Sequence, residues 1–110
     1  MGFRITPKPT FTIPVELHVP GADEPAVIKV EYKYLNREQL QEFKTRHGDK
    51  PINEPLEELL VSWDGPEDEE GSLVAYTPAR LKQLLAENHV AGDQMLAAYY
   101  REVYGARRKN

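Results

Sequence analysis

Residues 28–43, IKVEYKYLNREQLQEF, change from the period of a β-strand to that of an α-helix. Every second residue from Ile28 to Tyr34 is apolar or aromatic and the residues between are charged, which is typical of a strand with one buried face. Asn36 follows as a helix N-cap, with Gln39 three residues later at the spacing of a capping box. The stretch therefore predicts a strand followed directly by a helix.

An earlier stretch has the same alternation and provides a second strand. Apolar residues occupy every second position from Phe11 to Val19, and a turn rich in proline, residues 20–25, separates the two stretches. This order predicts an antiparallel β-hairpin over residues 11–35. Pro14 has no backbone N–H to donate, so the first strand should lie at an edge of the sheet. Because two strands alone are marginally stable, the hairpin must pack on helices or on a partner.

Residues 36–104 predict about four α-helices separated by turn signals. The second should start at Asn53 or Glu54 and carry leucines at helical spacing up to Trp63, which closes it. Thr77 and Asp93 are the predicted N-caps of the third and fourth helices. The predicted apolar stripe of the fourth helix consists of Leu96, Tyr99, Tyr100 and Val103. Together these elements predict an α+β fold, an N-terminal antiparallel β-hairpin packed on about four α-helices.

The length of 110 residues predicts a single domain with a small core. Residues 1–10 contain two prolines and no periodicity, so they predict a mobile arm. Residues 64–71 predict a flexible, self-repelling acidic loop within the helical part. Residues 105–110 predict a basic tail after the last helix.

Composition argues against several classes of function. The net charge of −4 disfavours nucleic-acid binding, which depends on cationic contacts with phosphate. Cysteine is absent, which excludes disulfides, thiolate metal sites and a cysteine nucleophile. No apolar run approaches the length of a membrane span, so no membrane association is expected and a cytoplasmic location is the default.

No motif for catalysis or for a cofactor is visible. The three histidines, His18, His47 and His89, are far apart in sequence and lack a partner at ligand spacing. Neither serine lies in a nucleophile elbow, and no glycine-rich phosphate loop is present. The acidic run at residues 67–70 fails the calcium-loop pattern, because Glu69 stands where that loop needs glycine. We therefore expect a protein that is not an enzyme and that holds no cofactor or metal.

Aromatic residues are the remaining candidates for a binding role. They are enriched in protein interfaces, yet at strand or helix spacing most belong to the core. The partner-binding candidates are Tyr99, Tyr100, Tyr104 and Trp63. A core position remains the alternative for Trp63, Tyr76 and one of Tyr99 or Tyr100. Tyr104, beside the stripe near the helix end, is the best candidate for an exposed contact.

The order of features from Leu59 to Asn110 resembles a family of tail assembly chaperones from long-tailed bacteriophages and prophages. The shared features are an apolar helix into Trp63-x-Gly65, an acidic loop to Gly71, Tyr76-Thr77-Pro78, Leu81 with Leu84-Leu85, and Tyr99 or Tyr100 before a short basic end at Lys109-Asn110. Each motif alone is weak, and the order supplies the specificity.

The resemblance implies a binding role in the cytoplasm of the bacterial host. Such proteins coat the long, aggregation-prone tape measure protein, help to recruit tail tube protein around it, and are absent from the finished particle. The implied partners are therefore the tape measure protein and the tail tube protein, and self-association stays open. The alternative is a structural tail protein retained in the virion, such as a tube or completion protein. A small enzyme is a third, disfavoured class, because no activated nucleophile or acid–base pair was found.

Overall fold

The computed structural model describes residues 2–105, which form a three-stranded antiparallel sheet packed on four helices. In chain order the elements are β1 (Thr10–Leu17), β2 (Ala26–Lys33), α1 (Arg37–His47), α2 (Asn53–Leu59), β3 (Leu60–Asp64), α3 (Pro78–Glu87) and α4 (Ala91–Tyr104). The α+β class and the N-terminal hairpin on helices are confirmed. The predicted basic tail, apart from Gly105, lies outside the described residues. None of the helices between residues 2 and 105 has both the length and the apolar character of a membrane span.

The sheet has the order β1-β2-β3, so β2 is central and β1 lies at an edge, as Pro14 predicts. Val15 of β1 pairs with Ile28 of β2, and Val30 of β2 pairs with Trp63 of β3. All four of these side chains are buried. They form the floor of the core, against which the helices pack.

The prediction that Trp63 ends a helix is wrong, because α2 stops at Leu59 and Trp63 lies in β3. Between Glu31 and Tyr32 the register of β2 against β3 shifts by one, so that Trp63 lies opposite Val30 and Leu60 opposite Tyr32. The bulge leaves Leu60 and Trp63 on the same buried face although they are three residues apart. Because of the bulge, two buried residues of a strand are separated by three positions, which is a spacing typical of a helix.

Two tyrosines at the centre of the core tie α4 to β2. The hydroxyl of Tyr32 donates to the carbonyl oxygen of Met95 at 2.7 Å, and that of Tyr99 donates to the carbonyl oxygen of Lys33 at 3.0 Å. The ring centroids are 5.2 Å apart, and neither side chain is exposed. Burial raises the pKa of Tyr99 to about 12, so its hydroxyl stays protonated and able to donate at physiological pH.

The helix starts were predicted correctly where a side chain caps them. Asn36 and Gln39 form the predicted capping box of α1, and Thr77 Oγ1 accepts from the Arg80 backbone N–H at 3.0 Å at the start of α3. The predicted cap of α4 is wrong, because Asp93 lies inside the first turn of a helix that begins at Ala91.

The start of α4 is set by packing rather than by a capping side chain. Val90 occupies the N-cap position without a side-chain hydrogen bond. A Cβ atom added to Gly92 would lie 2.9 Å from Ile52 Cγ1 and 3.3 Å from Leu85 Cδ2. The backbone of the first turn therefore fits closely between the residue before α2 and the end of α3, which only glycine permits without movement.

Candidate partner-binding surfaces

Two tyrosines and a lysine form a cluster on the outside of α1 and α4. Tyr100 and Tyr104 lie one helical turn apart, and their rings stack with centroids 6.2 Å apart and planes 17° apart. Lys44 of α1 places its ammonium 5.2 Å from the Tyr100 centroid and 4.8 Å from the Tyr104 centroid, and donates to the Tyr104 hydroxyl. We call Lys44, Tyr100 and Tyr104 the aromatic surface.

The aromatic surface combines one positive charge with two neutral phenols. Burial raises the pKa of the Tyr100 hydroxyl above its ordinary value, and the Lys44 ammonium opposes that shift. Tyr104 is 59% exposed, whereas Tyr100 is half-buried. Rigid aromatic side chains supply contact area at a low cost in conformational entropy, and the ammonium lies within the range of a cation–π interaction. The surface suits a partner that brings apolar side chains together with an acid.

The other two candidate residues lie in the core of the isolated chain. Tyr99 is fully buried and Trp63 is 8% exposed. The indole N–H of Trp63 donates to the Val74 carbonyl oxygen at 2.7 Å, and its ring meets Tyr76 edge to face at a centroid distance of 5.1 Å. Tyr100 and Tyr104 are thus the candidates that a partner can reach without rearrangement. The binding roles of all four residues stay predictions.

A cleft of about 670 Å³ opens at the turn end of the hairpin, between the sheet, the acidic loop and α3. Its floor is apolar and includes Leu17, Ile28, Trp63, Val74 and Leu84. Its rim carries the carboxylates of Glu67, Asp68, Glu69 and Glu87. We call this feature the acidic cleft.

Within the acidic loop at the rim, residues 68–72 form a hydrogen-bonded turn. Asp68 Oδ1 accepts from the backbone N–H groups of Glu70 and Ser72 at 2.9 and 3.0 Å, and the Asp68 N–H donates to the Ser72 carbonyl oxygen at 2.9 Å. Gly71 completes the turn at φ 83°, in the left-handed region. A short acidic side chain that binds nearby backbone N–H groups favours such a turn. The turn therefore fixes the backbone that carries the acidic side chains at the mouth of the cleft.

One of the three histidines, His47 at the end of α1, pairs with a carboxylate of α2. His47 Nε2 lies 2.7 Å from Glu58 Oε1, and Arg46 pairs with the same carboxylate. Burial would raise the pKa of Glu58, but the hydrogen bond from His47 and the charge of Arg46 outweigh it and lower that pKa. Among residues 2–105 no three metal-ligating side chains come together. The ion pair joins the end of α1 to α2 and belongs to neither surface.

Comparison with known proteins identifies a family. A family model described as phage tail assembly chaperone matches residues 1–110. No curated protein and no solved structure shows significant similarity to the chain. The match to the family model spans the whole length, including the hairpin that the resemblance from Leu59 onward did not cover. The chain belongs to the phage tail assembly chaperone family.

Proposed function

We propose that the chain binds the tape measure protein of its phage and keeps it soluble during tail assembly, without catalysing a reaction. The observation that carries the proposal is the aromatic surface, present on a member of this family. Tyr104 is 59% exposed beside a half-buried Tyr100. Tyrosines in this setting are typical centres of protein interfaces.

The geometry of the aromatic surface suits an amphipathic helix. Tyr100 and Tyr104 are one turn apart on α4, so their rings form a short strip along the helix rather than a single spot. A partner helix can lay its apolar face on that strip, with an acidic side chain against Lys44. A tape measure protein is long and helical, so it can present many such faces to many copies of the chain. The net charge of −4 favours the solubility of the coated complex.

A second partner follows from the same role. A chaperone that coats the tape measure protein leaves its other faces outward, where tail tube protein can be recruited as the tube grows. The host cytoplasm, where tails assemble, is the proposed location. Binding and release, rather than bond chemistry, are all that this role requires.

We expect Tyr104→Ala to weaken binding to immobilised tape measure protein by about tenfold, because truncation of an interface tyrosine costs more than about 1 kcal/mol. Biolayer interferometry with the folded variant measures the change. Leu73→Ala is the matched control, since Leu73 is 68% exposed and lies outside the aromatic surface. The control should bind like the wild type. Equal affinity of Tyr104→Ala and wild type would refute this role of the aromatic surface.

A further inference from the structure

The segment before β1 exposes two large apolar side chains. Phe3 and Ile5 are 95% and 96% exposed, and residues 2–9 contain no helix or strand. Arg4 lies between them and Lys8 follows, and the segment has no acidic residue. In an extended chain Phe3 and Ile5 point to one side and Arg4 to the other. The segment is thus an apolar and cationic strip, which we call the arm.

The acidic cleft has the complementary chemistry. Four carboxylates line it against a single guanidinium, that of Arg80. The floor is apolar and the carboxylates lie at the mouth. A segment with apolar side chains on one side and cations on the other can therefore place the first against the floor and the second against the carboxylates. Phe3 and Ile5 would contact the floor, while Arg4 reaches back to the rim.

The arm does not fill the cleft of its own chain. It leaves β1 at Thr10, the end opposite the hairpin turn, whereas the cleft is lined by Leu17 at the turn end. At about 3.4 Å per residue, Leu17 lies about 24 Å from Thr10. Ile5 precedes Thr10 by five residues, which span at most about 18 Å even if the arm reverses and runs straight, so Ile5 does not reach Leu17 at the turn end. In the single chain Phe3 and Ile5 stay 95% and 96% exposed, so neither is covered by the floor of the cleft. The arm of another copy can approach the cleft from its turn end and cover the whole floor.

We propose that the arm of one copy docks in the acidic cleft of a second copy, with Phe3 and Ile5 on the apolar floor and Arg4 and Lys8 against Glu67 and Glu69. This contact uses neither Tyr100 nor Tyr104, so it stands apart from the proposed binding of the tape measure protein. It links chaperones to one another and leaves the aromatic surface of each copy free.

A charge swap between full-length variants tests the contact. One variant reverses the arm (Arg4→Glu with Lys8→Glu) and the other reverses the rim (Glu67→Lys with Glu69→Lys). All four side chains are exposed, so both variants should keep the wild-type circular dichroism spectrum. The matched control, Glu38→Lys with Glu42→Lys, makes the same change in net charge as the rim reversal, but on the exposed face of α1. Sedimentation velocity over a range of concentrations measures association.

We expect the wild type and the control to self-associate and each reversed variant to do so about tenfold more weakly or less, because its arm and cleft carry like charges. An equimolar mixture of the two variants should regain association, since each arm then meets a cleft of opposite charge. A wild type that stays monomeric would overturn the proposal. The proposal would also be overturned if the reversed variants associated as strongly as the wild type, or if their mixture did not regain association. It would likewise be overturned if reversal of the arm weakened only the binding to tape measure protein and left self-association unchanged.

Discussion

Trp63→Ala should lower the free energy of unfolding by about 3 to 5 kcal/mol, the cost of truncating a large buried aromatic side chain. Trp63 is 8% exposed, lies opposite Val30 in the sheet and meets Tyr76 edge to face. Its removal also leaves the Val74 carbonyl oxygen without the indole donor. Since domains of this size are stable by about 5 to 15 kcal/mol, the variant should lie close to unfolding.

Urea denaturation followed by far-ultraviolet circular dichroism measures the effect, because the variant loses the chain's one tryptophan as a fluorescent reporter. Trp63→Phe is the matched control, which keeps a ring on the core floor and removes the indole N–H. It should cost less than the alanine variant. A loss below about 1 kcal/mol for Trp63→Ala would contradict the position of β3 in the core.

Tyr32→Ala should lower the free energy of unfolding by a similar amount, about 3 to 5 kcal/mol. Tyr32 is fully buried on the central strand β2, where its side chain lies against both β3 and α4. Tyr32→Phe separates packing from hydrogen bonding. It keeps the ring and removes only the hydroxyl's bond to the Met95 carbonyl oxygen, at a cost of about 0.5 to 1.5 kcal/mol.

Chemical denaturation of the three proteins, with Tyr104→Phe as an exposed control, measures these differences. The control should stay within about 0.5 kcal/mol of wild type, as expected for a surface substitution. A Tyr32→Phe variant as stable as the control would mean that the bond to Met95 does not hold α4 on the sheet.

The elements that sequence predicts well are those whose signals are local. The capping box at Asn36 and Gln39 and the cap at Thr77 each depend on residues within one helical turn, so the spacing alone identifies them. The end of α2 depends on pairing of β3 with a strand about 30 residues away. Neither this partner strand nor the bulge that places Leu60 and Trp63 on the same face of the sheet leaves a local signal in the sequence.

The predicted stripe of α4 is rotated by about one residue from the buried one. Met95, Ala98 and Tyr99 are buried, whereas Leu96, Tyr100 and Val103 are half-buried. The rotation follows from the close packing of Gly92 and from the bond between Tyr32 and Met95, both made by residues distant in sequence.

The candidate site was predicted in part. The exposed position of Tyr104 follows from its place beside the stripe, and the structure confirms it. Lys44 was missed, because it reaches the tyrosines from α1, 56 residues before Tyr100. A lysine on a helix surface is too common to signal such a contact from sequence.

Co-expression with the cognate tape measure protein tests the proposed chaperone role most directly. We expect the tape measure protein to appear in the soluble fraction and to co-purify with several copies of the chain. With the double variant Tyr100→Ala and Tyr104→Ala, provided that it is folded by circular dichroism, the tape measure protein should move to the pellet. A tape measure protein that is soluble without this chain and does not co-purify with it would contradict the role.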